Sequence, residues 1–286
     1  MPLDARSDLS IRAAAIALTM TMLIGAPLAA EAGEKPPANR DAGAPAVAET
    51  VRFTAAKITE LRDQAATLME VPEKTPEGWS KSRVDPTKIL RVFPALKLRE
   101  GFTFRAYQYL AGGNGNGVVW AIPIDAEFPA PEDCPTLENR FLNVPKPLDA
   151  LDDVMDAITG DDTAEAYLQA SLLRRELKEF GAMWHGILWG THYIVDADPL
   201  NAPRDENDPM RTPHGKSEDW KWLGPRPADW RPRVTLEAER AVVEFYTFSG
   251  YRKESVYRYV DTYRRGKFRA RVEETKIAEG GPGFVF

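Results

Sequence analysis

The sequence predicts an α+β fold: a mainly antiparallel sheet, made of an N-terminal hairpin and a C-terminal meander, packed against three helices. Three observations predict it. In "GFTFRAYQYLAGGNGNGVVWAIPI" two β-rich apolar runs flank a Gly/Asn stretch, the signature of a hairpin. The C-terminal part alternates apolar and polar residues in short runs. Elsewhere apolar residues recur at three- and four-residue spacing, which marks helices with one buried stripe. With 286 residues and 43% hydrophobic content, there is enough apolar material for a substantial core.

Residues 1–32 are of another kind. Arg6 and Arg12 precede "AAAIALTMTMLIGAPLAA", an apolar run broken late by Gly25 and Pro27. Ala30-Glu31-Ala32 then offers the small-x-small pattern of a cleavage site, so the segment reads as a signal peptide and the protein as periplasmic or secreted. The alternative is an uncleaved N-terminal anchor, since the run is nearly long enough to span a bilayer. No second long apolar run exists, so no transmembrane segment is expected after cleavage. Residues 33–47, rich in Pro, Ala and charge, read as a flexible linker, and 48–286 as a single globular domain.

Within that domain, Val51, Ala55, Ile58, Leu61, Ala65 and Leu68 give the first helix stripe. "KILRVFPALKL" (88–98) reads as β, and the hairpin spans Phe102 to Ile124. "GGNGNG" runs into "VVWAIPI", which is strand-like, so it reads as a flexible turn rather than a phosphate loop, which would open a helix. Pro147, with Leu151, Val154, Met155 and Ile158, predicts a second helix stopped by Gly160. Asp162 and Glu165 form an acidic capping box. They open a third helix that buries Ala166, Ala170, Leu173, Leu177, Phe180 and Trp184. Arg174, Arg175, Lys178 and Glu179 face water in this reading, with Arg175 and Glu179 spaced to pair.

Residues 199–232 have no period and seven prolines, and read as a long loop pinned by Trp220, Trp222 and Trp230. "RVTLEAE", "AVVEFYTF" and "KFRARVEE" complete the meander. The segment 254–265 fits strand or helix, and its Val, Tyr and Thr content favours strand.

Chemistry is sparse. "MWHGILWGTHYIV" (183–195) holds two of the three histidines. On one helix His185 and His192 stand about 10 Å apart along the axis, whereas zinc ligands must each lie about 2 Å from the ion. On one strand they point to opposite faces. The stretch therefore reads as a helix stop at Gly186 followed by a central buried strand, with His192 in the core. "DADPLNAPRDEND" lacks the glycine and closing glutamate of a calcium loop. Cys134, the only cysteine, excludes an internal disulfide, and no GxSxG or base partner marks a nucleophile. No cofactor is expected.

Charge offers one anomaly. Without residues 1–32 the chain has 35 basic and 40 acidic residues, net −5, which gives no reason to expect nucleic acid as a partner. Yet Arg252 to Arg271 holds eight basic and two acidic residues. Arg252, Lys253, Tyr257, Arg258, Tyr259, Tyr263, Arg264, Arg265, Lys267, Arg269 and Arg271 form a basic aromatic hairpin that could meet an anionic envelope surface or an acidic partner protein. The competing reading of that hairpin is a solvated one whose arginines pair with carboxylates elsewhere. The functional expectation is a non-enzymatic envelope binding protein using this hairpin. The alternative is a metal-dependent hydrolase using His185 and His192.

Overall fold

The computed structural model describes residues 48–71, 75–138, 142–202, 210–214 and 219–285. The expected signal peptide and linker lie outside these residues, as do 203–209 and 215–218 of the expected loop.

The chain enters along strand β1 (Glu49–Arg52) and turns into helix α1 (Ala55–Met69). Thr54 starts the helix: its side chain accepts the Lys57 N–H, one of the donors that a helix N-terminus leaves without a partner. Ile58 and Ala65 of the expected stripe are buried and Ala55, Leu61 and Leu68 half-buried, whereas Val51 lies in β1 and Met69, outside the stripe, is buried too. After strand β2 (Gly78–Lys81), a 3-10 turn over Pro86–Arg91 takes the first part of the expected strand at 88–98. Asp85 closes that turn by accepting the Thr87 N–H, and only β3 (Leu96–Leu98) is extended.

The hairpin pairs β4 (Phe102–Ala111) with β5 (Asn114–Pro123). Gly112 and Gly113 make its turn at φ 54° and 84°, the left-handed pair that a two-residue hairpin loop requires. The rest of "GGNGNG" belongs to β5 rather than to a flexible turn. A Cβ on Gly115 or Gly117 would lie 2.6 Å from the carbonyl oxygen of Gly181 or Phe180, so these glycines admit another stretch of backbone. The short strands β6 (Thr136–Leu137) and β7 (Val144–Pro145) pair with each other.

The expected helix at 147–160 is instead a 3-10 turn over Val154–Ala157 followed by β8 (Ile158–Gly160), which pairs with β3. The Asp153 carboxylate accepts the Met155 N–H, a local bond that competes with helix formation. Helix α2 (Ala164–Lys178) does form, capped by Thr163 rather than Asp162. Eleven of its positions are buried, because it packs against two sheets at once. That explains a correction: Arg175, expected in water, is in the core.

Strands β9 (His192–Val195), β10 (Lys221–Trp222), β11 (Arg233–Leu236), β12 (Arg240–Ser249), β13 (Lys253–Arg264) and β14 (Arg271–Pro282) follow, so the ambiguous segment at 254–265 is extended. They join β1 in an antiparallel sheet of order β1-β11-β12-β13-β14-β10, and β9 lies along the Tyr246–Ser249 end of β12. A second sheet has the order β2-β4-β5, and α2 sits between β11 and β12 on one side and β5 on the other. The architecture is α+β with antiparallel sheets dominant. Trp220 and Trp230 are buried with Tyr246, Phe248 and Ile277, which pins the described parts of the 199–232 segment to the large sheet.

Candidate functional site

The stretch with the two histidines does not fold as the alternation suggests. Helix α2 stops at Glu179, and Gly181 takes φ 71°, several residues before Gly186. The chain then runs against β5. Met183 and Gly115 exchange two backbone hydrogen bonds, of 3.0 and 3.4 Å. Gly186 sits so close to the Gly115 carbonyl oxygen that no side chain fits there. A 3-10 turn over Trp184–Gly186 precedes the expected strand at 187–195 and another over Trp189–Thr191 interrupts it, leaving only 192–195 extended. Its remnant, β9, pairs with β12 alone among the described strands, so it is not a central strand.

The consequence is a short apolar turn facing out. Trp184, expected as the last buried residue of the helix stripe, is 60% exposed, and so is Leu188. Trp184 also holds φ 51°, a conformation that disfavours a bulky side chain. The Glu179 carboxylate accepts the N–H groups of Leu188 and Gly190, closing the turn from its other end. Burial raises the Glu179 pKa, against the pull of those N–H groups. His185, also on this turn, is exposed.

Beneath the turn lies a polar layer. The Arg62 guanidinium stacks over Trp189 at 4.1 Å and donates to the carbonyls of Trp189 and His192 and to Glu176. Glu176 also accepts the Trp189 indole N–H at 2.7 Å. Its pKa is raised by burial despite the Arg62 charge. His192 Nδ1 lies 2.9 Å from the Thr247 hydroxyl and 3.1 Å from that of Tyr259. Burial, then the charges of Arg62 and Arg175, push its pKa down to about 3, so the ring is neutral. Arg175 pairs with Asp261 through two bonds of 2.6 and 2.9 Å, rather than with Glu179. Burial works against its charge, and the carboxylate more than offsets it, so its pKa is raised. Three aromatic rings, of Tyr259, Phe245 and Trp189, lie 4.8–5.5 Å from its guanidinium.

The basic hairpin is not one continuous cationic face. Lys253 pairs with Glu279, Arg258 with Glu244, Arg265 with Asp162, Arg269 with Asp153 and Asp156, and Arg271 with Glu273. Arg252, Arg264 and Lys267 have no such pair among the described residues. Arg252 precedes β13, whereas Arg264 and Lys267 lie at its far end, so the strand's length separates them. Tyr259 and Tyr263 are core residues, and Tyr257 is half-buried.

Among the described residues no group of three His, Cys, Asp or Glu side chains is arranged to hold a metal ion. The donors proposed for the hydrolase reading diverge: His185 is exposed, and His192 is committed to hydroxyls in the core. Asp196 and Asp198 accept backbone N–H groups of Ala55 and Leu200 instead of forming a calcium loop. Cys134 is buried, 3.1 Å from the Tyr107 hydroxyl. The third histidine, His214, carried no sequence signal; its Nδ1 lies 2.7 Å from the fully buried Glu254 carboxylate. The chain matches no protein-family model, no curated protein and no solved structure.

Proposed function

We propose that this chain is an exported, non-enzymatic binding protein whose contact element is the turn at 182–190. Trp184 is the anchor, entering an apolar pocket on a partner protein of the cell envelope. One observation carries the reading. A tryptophan stands 60% exposed, in a left-handed conformation, on a turn held at both ends by Gly115 and Glu179. An exposed ring on a fixed backbone loses little freedom on binding, and tryptophan is the residue most enriched at interface hot spots. Unfavourable backbone conformations cluster where function requires them. A small convex turn suits a concave partner better than a flat surface. Export is supported by the apolar run and small-x-small site of residues 1–32. The binding class is the one expected from the sequence, with its contact element moved from the C-terminal hairpin, where most cations are neutralised, to this turn.

A photo-crosslinking residue at position 188, introduced in the native cell, tests this. A discrete adduct is expected, absent when Trp184→Ala is added. Leu148, 85% exposed on an ordinary turn, is the control position. Equal adducts from both positions, or an adduct at 188 that survives Trp184→Ala, would refute the assignment.

A further inference from the structure

On β4, Phe104, Ala106 and Gln108 share one face, and the first two are core residues. Gln108 is only 2% exposed, and its Nε2 has no hydrogen-bond partner among the described residues. An amide left unsatisfied in such a place costs about 1–3 kcal/mol, where leucine would fit the pattern at no such cost. Gln108 lines a small pocket of about 150 Å³, shared with Thr75, Pro76, Ser80, Lys81 and Arg83. Ser80 lies directly across the β2–β4 ladder from Gln108, so it shares that face. Lys81 pairs with Tyr107 instead and carries its ammonium 5.6 Å from the Phe128 ring, on the opposite face. The positive charge at the pocket is therefore that of Arg83, which has no ion pair among the described residues. Among the described residues no carboxylate lines the pocket.

We infer that this pocket binds a small oxyanion, a carboxylate or phosphate group, with Gln108 Nε2 and Arg83 as donors and the Ser80 hydroxyl as a third. Only an acceptor-rich ligand completes a site offering an unpartnered amide N–H and a guanidinium. The pocket is smaller than the ~300 Å³ at which drug-sized sites begin, so the ligand is a single small anion or the acidic end of a longer molecule.

The test is an NMR titration of the full chain, reading the Gln108 side-chain amide. The probes are acetate, inorganic phosphate and the neutral isostere acetamide, at matched ionic strength. At least one anion should shift the amide saturably, and acetamide should not. Saturation by acetate alone assigns a carboxylate, and by phosphate alone a phosphate group. Arg83→Ala should weaken binding by about tenfold, the loss of one charge-assisted hydrogen bond. Gln108→Leu, read by calorimetry, should abolish it while leaving a folded protein. Non-saturating shifts with both anions, equal affinity for acetamide, or unchanged affinity in Arg83→Ala would overturn the inference.

Discussion

Asp261→Ala should be among the most destabilising single substitutions in this chain. Its carboxylate is fully buried and accepts two bonds from Arg175, whose side chain is 8% exposed, and a third from the Ser171 hydroxyl. Removing it leaves a guanidinium in the core with no counter-ion. Breaking a buried pair from one side costs about 3–5 kcal/mol, a large part of the 5–15 kcal/mol that holds a typical domain folded. The three rings around Arg175 keep some stabilisation of the cation, which places the expected loss near 4 kcal/mol. Arg175→Met should cost a similar amount by orphaning Asp261. The double variant Arg175→Met with Asp261→Leu removes both charges, and methionine packs well on aromatic rings. It should lie within about 1 kcal/mol of the native protein, giving a coupling of about 7 kcal/mol. Urea unfolding of all four proteins measures this, provided the m-values agree. Single variants that each cost under about 1 kcal/mol, and simply add in the double, would show that the pair does not hold α2 to the sheet.

Three further outcomes follow from particular residues. His192 is neutral in the fold, with its pKa near 3 against an ordinary 6.5. Below 6.5 the unfolded chain takes up a proton that the folded one refuses. The His192 contribution is thus complete above pH 6.5 and lost as pH falls towards 3, by roughly 4–5 kcal/mol; His192→Gln should flatten the acid limb of stability against pH, and an unchanged limb would count against the buried ring. At position 184, φ 51° penalises any side chain. Glycine there should be more stable than alanine by about 1 kcal/mol in urea unfolding, and both should lose the adduct formed at position 188. Intact mass of the exported protein should place its N-terminus at Gly33, and a full-length mass in the membrane fraction would mean an anchor instead.

Much of the fold is written in local pattern. The α1 stripe, the β4–β5 hairpin and the alternation of β11 to β14 are set by neighbours a few residues apart, and period 3.6 or period 2 exposes them. Thr54 and Gly112-Gly113 mark a helix start and a turn for equally local reasons. What the tertiary structure alone decided concerns residues whose environment comes from distant chain. Arg175 looks like a surface residue because its partner, Asp261, is 86 positions away, and because a helix between two sheets has no free face. Arg258, Arg265 and Arg269 look unpaired in the sequence because their carboxylates, at 153, 156, 162 and 244, lie on other elements. Trp184 sits seven residues after Leu177, in step with the buried stripe. Gly181 was the local sign that the helix stops first, but the outward direction of the turn comes from its backbone pairing with Gly115, on the other sheet. Periodicity reports which face of an element is apolar, whereas what covers that face depends on contacts made across the whole chain.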